Sequence, residues 1–331
     1  MIERPFSTLL KILDPSRPTL IQTHDFPDHD AIGAAYALCE LLMRNQFDCS
    51  ITYGGRIQSI SLTAMISRLS IRMEDFASAS GNPAFQTIVV DGSPASGTVK
   101  TVAGTLTAVI DHHPAKKRLH CPFIDLRPEM GACSSIVWTY WKESGEIPDR
   151  TTATALLAGI QLDTDFLSRS VSQTDLDAHY ALFFLGNNAL AHEVVKTALS
   201  VDQLEEIGRS FSSFRIKDTI LLAEVHGDYS SELLSVLADF LLRLREITFV
   251  VVIAIKGCEY HLSARTRDAS LDTGCIVRQV LSGIGSGGGH PHMAGGTVHA
   301  SCYRDGDAFL RKIADGIAAY RSKNETDNQA D

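Results

Sequence analysis

The chain has 331 residues, 44% hydrophobic and 21% charged, with a formal net charge of −9, enough to bury a sizeable core and to form two domains. This acidic balance disfavours long duplex nucleic acid, whose binding rests on counterion release to basic side chains. No apolar run reaches the ~18 residues of a membrane span and the first five residues lack the apolar region of a signal peptide, so a cytoplasmic protein without membrane attachment is expected.

In chain order, β-like runs at 19–22, 49–53, 87–90, 108–110 and 122–124 alternate with helical patterns at 31–44, 134–141 and 151–160. That alternation predicts an α/β fold with a parallel sheet over residues 1–191. A polar connecting helix is expected over 192–213. Further runs at 219–225, 235–244, 248–255 and 259–263 predict a second, smaller α/β domain over 214–321, and the polar stretch 322–331 reads as a disordered tail. The seven cysteines are scattered with no C-x-x-C pair, which argues against a disulfide framework or structural zinc and for buried thiols.

Acids and histidines fall at particular places in this pattern. His24-x-x-x-Asp28-x-Asp30 follows the first run, Asp91 the third, and Asp111-His112-His113 the fourth, while Asp163 and Asp165 occupy a loop expected after an apolar helix. In an open parallel sheet, residues at the carboxyl ends of different strands converge on one crevice. Two carboxylates about 4 Å apart repel by roughly 4 kcal/mol at an effective dielectric near 20, so such a cluster calls for compensation. Divalent cations supply it, and oxygen and nitrogen donors without thiolate suit Mn²⁺ or Mg²⁺. A pair of such ions serves phosphate-ester hydrolysis. Taken singly, Asp30 also reads as a helix cap and Asp91-Gly92-Ser93-Pro94 as a turn. The joint occurrence at strand ends is what favours a site. His120, His179, His192, His226, His261 and His299 stand outside these clusters and read as surface or satisfied histidines.

In the second domain, the segment 282–296 holds seven glycines, a density read as a loop whose N–H groups approach an anion. It is not a Walker loop, since no Gly-Lys-Ser/Thr follows. Just upstream, His261, Ser263 and Arg265 alternate as on one face of a strand.

Together, His24-x-x-x-Asp28-x-Asp30, Asp91, Asp111-His112-His113, Gly159-Ile160-x-x-Asp163-Thr164 and Gly287-Gly288-Gly289-His290 resemble the DHH phosphoesterase family with its C-terminal DHHA1 domain, over about residues 18 to 300. The length resembles the short nanoRNases, pAp phosphatases and stand-alone cyclic-dinucleotide phosphodiesterases. The resemblance implies that His24, Asp28 and Asp91 hold one cation and that Asp30, Asp91, His112 and Asp163 hold a second, with Asp91 bridging. The cations would be Mn²⁺, with Mg²⁺ or Co²⁺ as alternatives. His113 would face the scissile phosphate and Asp111 would orient a histidine. Arg265, Ser263, Gly287, Gly288, Gly289 and His290 would grip the substrate's far end, with the active site in a cleft between the domains. Expected substrates are nanoRNA, linear dinucleotides such as pApA or pGpG, or pAp. The rival readings are a cyclic-dinucleotide phosphodiesterase, then a pyrophosphatase or exopolyphosphatase, or a non-catalytic nucleotide sensor. Relatives are commonly homodimers. Phe26 and His29 stand where the family usually has Asn and Gly, a departure expected to alter the entrance, and Asp165 stands where Gly usually follows Asp-Thr.

Overall fold

The computed structural model describes residues 4–57, 59–74, 76–80, 82–114, 118–197, 199, 201, 207–208, 214–227 and 229–327. The chain divides into two units, Met1–Thr197 and Ala198–Asp331.

The first unit is built on five parallel strands, β1 (Thr19–Thr23), β2 (Cys49–Tyr53), β3 (Gln86–Val90), β4 (Thr105–Asp111) and β5 (Phe123–Leu126), in the order β2-β1-β3-β4-β5. β1 and β3 are buried along their whole length, which is why they read as continuous rather than alternating runs. From β1 the chain goes to β2 on one side, while β3 lies on the other. That reversal opens a crevice at the carboxyl ends of β1 and β3.

Among the described residues, eight helices accompany the sheet: α1 (Pro5–Ile12), α2 (His29–Arg44), α3 (Ile60–Arg68), α4 (Phe76–Ala79), α5 (Cys133–Ser144), α6 (Arg150–Asp163), α7 (Gln173–Leu185) and α8 (Asn188–Lys196). α2 buries Ala31, Ile32, Ala34, Ala35, Leu38, Leu41 and Leu42. A Cβ on Gly33 would lie 2.5 Å from the carbonyl oxygen of Ala155, so glycine there lets α2 and α6 cross backbone to backbone. The indole of Trp141 donates to the carbonyl of Ala37, 3.1 Å away, which ties α5 to the same helix.

In the second unit, six strands run in the order β10-β11-β9-β8-β7-β6. They are β6 (Phe214–Lys217), β7 (Ile220–His226), β8 (Phe249–Ile255), β9 (Glu259–Thr266), β10 (Gly285–Gly289) and β11 (Met293–His299). β7 and β8 pair in parallel and the other pairs are antiparallel. Alternation sorts the side chains onto two faces. Leu221, Ala223, Val250 and Val252 pack with α9 (Ser231–Leu241). Leu222, Val251, Leu262 and Ala264 pack with α10 (Thr273–Leu281) and α11 (Gly306–Asp327).

Several expectations are corrected. The glycine-rich segment is not a loop: Gly285–Gly289 forms the edge strand and pairs with β11. A Cβ on Gly287 would lie 2.7 Å from Leu281 Cδ1 and 2.8 Å from Val277 Cγ1, and one on Gly274 would lie 2.3 Å from the Gly289 carbonyl oxygen. The glycines therefore let α10 rest directly on the strand backbone. The first unit runs past residue 191 to Thr197, because α8 belongs to it. Most of the expected connecting helix, including 202–206 and 209–213, lies outside the described residues. α11 continues to Asp327, so the polar stretch from residue 322 extends a helix instead of opening a disordered tail, and residues 328–331 lie outside the described residues. Cys39 and Cys133 are buried as expected, but Cys258, Cys275 and Cys302 are exposed. Among the described residues no helix is long and apolar enough to cross a membrane.

Candidate metal centre

The carboxyl ends of β1, β3 and β4 bring His24, Asp91 and the pair His112-His113 into the crevice, and two helix ends complete the group. Asp28 is the N-cap of α2, its Oδ1 accepting the N–H groups of Asp30 and Ala31 at 2.9 and 3.0 Å. The cap expected at Asp30 is thus made by Asp28, because the helix begins one residue before Asp30. Asp30, fully buried, instead points across to the start of α5, where the N–H groups of Cys133 and Ser134 donate to its Oδ2 and Oδ1 at 2.6 and 2.9 Å. Helix N-termini present such donors ready-made. A Cβ on Gly159 would lie 2.6 Å from Asp30 Oδ1, which accounts for the glycine four residues before Asp163. Asp163 is the last residue of α6 rather than part of a loop.

Asp91 sits at the centre. One of its carboxylate oxygens, Oδ2, lies 3.6 Å from His24 Nε2, while the other, Oδ1, lies 3.3 Å from His112 Nε2 and 3.8 Å from His113 Nδ1. Asp163 Oδ2 approaches the same His112 Nε2 at 3.3 Å. His24, Asp28 and Asp91 offer donor atoms within 4.8 Å of one another, and so do Asp30, His112 and Asp163, and Asp91, His112 and His113. The backbone of Asp91 is left-handed, with φ of 56°. Aspartate tolerates that region better than most residues but still at a cost of about 1–3 kcal/mol, a form of strain that concentrates at functional sites.

Hydrogen bonds from outside the cluster set the histidine tautomers. His112 Nδ1 lies 3.2 Å from the Met130 carbonyl, which can only accept, so Nδ1 carries a proton and Nε2 is the nitrogen turned to the carboxylates. His113 is held by Asp111, whose Oδ1 accepts its backbone N–H at 3.0 Å and lies 2.8 Å from its Nδ1.

Without a cation, the cluster balances itself with protons. Burial, then Asp163 and Asp91, holds the Asp30 carboxyl well above the usual carboxylate range. Asp163 is pushed up to about 6, chiefly by burial, with His112 opposing and Asp28 and Asp91 adding to the rise. Burial works against the charge on Asp91, yet the close approach and charge of His112, with His113 and His24 behind it, hold that carboxyl below its ordinary value. His112 is raised well above its ordinary value because Asp163 and Asp91 outweigh its burial, and His113 is raised because Asp111 and Asp91 do the same. The donors fit a pair of divalent cations. Nitrogen and oxygen atoms converge, Asp91 Oδ1 is buried with no well-formed hydrogen bond among the described residues, and the excess of acid is carried by groups a cation would deprotonate.

The DHH family's N-terminal domain matches residues 18–160, and the DHHA1 domain matches residues 217–319. The chain belongs to the DHH phosphoesterase family. An uncharacterized protein of Methanocaldococcus jannaschii is 32% identical to it over 306 residues, covering 91% of this chain and 63% of that protein. An A-adding tRNA nucleotidyltransferase of Geobacter sulfurreducens is 26% identical over 207 residues, covering 59% of this chain and 22% of that enzyme. The chain thus spans less than two thirds of the length of either relative. Among solved structures, an exopolyphosphatase-related protein from Bacteroides fragilis shares the fold at a TM-score of 0.74 and 15% identity, over 96% of this chain and 95% of that one. RecJ from Thermus thermophilus in complex with Mn²⁺ shares it at 0.55 and 13% identity, over 95% of this chain and 54% of that one.

Other residues singled out in the sequence of this DHH chain are placed as follows. Asp165 is exposed and pairs with Lys196 at 3.9 Å, outside the carboxylate group. Phe26 is 57% exposed, whereas His29 is buried, with Nε2 3.1 Å from the Val194 carbonyl, so it does not line an entrance. In the DHHA1 domain, Arg265 is only 6% exposed. Its Nε donates to Asp239 Oδ1 at 2.8 Å and its Nη1 to Ser263 Oγ at 2.9 Å, bracing α9 against β9. Ser263 is buried beneath the same helix, 3.2 Å from Ser235 Oγ. Gly287 to Gly289 lie in β10, and His290 opens the turn to β11, its N–H donating to the Met293 carbonyl. The sequence carried no sign of Met130, Cys133 and Ser134, which act through backbone groups that any residue would supply.

Proposed function

We propose that the chain hydrolyses phosphate esters of short nucleotides, namely nanoRNA, linear dinucleotides such as pApA or pGpG, or pAp. The observation that carries this reading is the position of Asp91, whose two carboxylate oxygens face different donor sets in the crevice at the carboxyl ends of β1 and β3. His24, Asp28 and Asp91 would hold one divalent cation, and Asp30, Asp91, His112 and Asp163 another, with Mn²⁺ the best match to the donors. Cations held there would supply an activated water and offset charge on the phosphoryl oxygens.

The chain's own residues supply the rest. Met130 and Asp111 each hold an Nδ1 proton, so that His112 presents Nε2 inward, while His113, its Nδ1–H held by Asp111, would donate an Nε2–H to a phosphate oxygen in its doubly protonated form. A net charge of −9 suits a short substrate met through cations better than a long polyanion. The DHHA1 domain is assigned the non-reacting part of the substrate, with His290 and the Gly287–Gly289 strand as contacts. Ser263 and Arg265 support that domain from within.

The test is turnover of a panel in Mn²⁺: pApA, pGpG, cyclic di-AMP, cyclic di-GMP, pAp and pyrophosphate, with products separated by chromatography. Hydrolysis of a linear dinucleotide or pAp, lost in EDTA and restored by Mn²⁺, is the expected result. Turnover of pyrophosphate alone, or full activity in EDTA after dialysis, contradicts the reading.

A further inference from the structure

His29 and the turn after Asp163-Thr164 both meet the same helix end. His29 lies between Asp28 and Asp30, is buried, and its Nε2 is 3.1 Å from the carbonyl of Val194 in the last turn of α8. On the other side, Asp165, Phe166 and Leu167 directly follow the C-cap of α6, and all three adopt left-handed backbone, with φ of 44°, 55° and 64°. Three consecutive side-chain-bearing residues in that region are strained, since the left-handed region crowds Cβ against the following carbonyl. The last turn of α8 closes over them. Lys196 Nζ lies 4.2 Å from the centroid of the Phe166 ring and 3.9 Å from Asp165 Oδ1, and the His192 ring lies 4.9 Å from the same Phe166 ring. The N–H groups of the turn are held from α6 and its cap: Phe166 N–H donates to the Gln161 carbonyl, Leu167 N–H to the Thr164 hydroxyl and Arg169 N–H to the Thr164 carbonyl.

We propose that the last turn of α8, through Lys196, His192 and the Val194 carbonyl, is a positioning device that holds two segments of the metal centre in register: the one bearing Asp28 and Asp30, and the strained turn behind Asp163. It rests on the metal-dependent reading above and adds residues that touch neither cation nor substrate. α8 is also tied to α6 and α3 of the same unit. Asn187 N–H donates to Thr154 Oγ1 at 2.8 Å and Gln161 Nε2 to Asn188 Oδ1 at 2.7 Å, both on the α6 side, while Glu193 pairs with Arg68 of α3 at 3.0 Å. A helix so anchored can restrain a strained turn instead of following it. Lys196 is half-exposed, so its contact with Phe166 is made at the surface end of the strap and its replacement leaves the core intact.

The test uses the full chain with Lys196→Ala and Lys196→Arg, with His29→Ala and His29→Gln as a second pair. Three readouts are taken: Mn²⁺ affinity by titration calorimetry, hydrogen exchange of the amides at Phe166, Leu167 and Arg169 in metal-free protein, and melting temperature. A cation–aromatic contact of this exposure is worth a change of about two- to fivefold. Lys196→Ala is expected to weaken Mn²⁺ binding and to speed exchange in the turn by that factor, and Lys196→Arg, which keeps a cation over the ring, to stay within about twofold of the parent. Gln at position 29 retains an N–H donor toward Val194 and is expected to recover affinity that Ala loses. Unchanged exchange and unchanged affinity in Lys196→Ala would overturn the proposal. So would equal losses in Lys196→Ala and Lys196→Arg, since those follow from lost packing alone. If the parent protein binds no Mn²⁺, the metal-dependent reading fails, and the exchange rates in metal-free protein still decide whether α8 restrains the turn. If the His29 variants misfold, seen as a collapsed melting transition, the Lys196 pair alone decides whether the strap exists.

Discussion

Asp163 shows how much of the centre's behaviour is set by single side chains. Its carboxyl is pushed up to about 6 from an ordinary value of 3.8, first by burial. For an acid whose folded pKa is raised, the stabilising form is the protonated one. Its contribution is full below about pH 4 and is lost as pH climbs through about 6. Asp30 acts in the same direction. His112, raised by Asp163 and Asp91 against its burial, contributes stability below its ordinary value that is lost as pH rises through its folded one. Asp91, held below its ordinary value, works oppositely and gives up stability only in strong acid. Metal-free protein therefore loses stability at this centre from about pH 4 through about pH 6 as Asp163 ionises, and further at higher pH as His112 gives up its proton, and a cation that replaces the protons restores it. Melting curves with EDTA and with saturating Mn²⁺ at pH 5.5 and pH 8 should show the larger metal-induced rise at pH 8. An equal rise at both would mean that these groups do not release protons to the metal.

Elements differ in how visibly the sequence encodes them. β1, β2 and β3 were readable almost to the residue because each is a short stretch rich in β-branched and apolar residues bounded by polar breaks, and α2 because its apolar face keeps helical spacing. The β10–β11 hairpin was not readable. Its glycines are dictated by the approach of α10, a contact between segments that no local pattern records. That distinction has a measurable consequence. Gly287→Ala drives a Cβ to 2.7–2.9 Å from Leu281, Val277 and the Gly295 carbonyl, an overpacking that should cost about 1–3 kcal/mol in chemical denaturation. Gly295→Ala would meet only the Leu262 carbonyl, at 3.7 Å, and should change stability by less than about 0.5 kcal/mol. Comparable losses in both would show that backbone conformation, not the seat of α10, selects these glycines.

Across the whole molecule, the candidate ligands were legible because charge is rarely spent at strand ends without a partner. His24, Asp91 and His112 follow three separate strands, and the strand order brings them together. What the sequence withheld were backbone partners: the Met130 carbonyl behind His112, the α5 N–H groups beneath Asp30, and the α8 strap on His29. Such groups carry no side-chain signature. At Arg265 a cation beside a glycine-rich segment suggests an anion contact, and the fold adds a brace to Asp239 and Ser263 that no local pattern records.

Everything proposed for this centre depends on Asp91 as a ligand shared by two cations, and metal content per folded chain tests that most directly. After incubation with Mn²⁺ and gel filtration, elemental analysis should find two ions per chain in the parent and fewer than about one in Asp91→Ala, because one substitution removes a donor from both sets. Circular dichroism should show the variant folded, and Asp165→Ala, which changes an exposed carboxylate outside the cluster, should retain both ions. Two ions per chain in folded Asp91→Ala would contradict the shared-ligand centre.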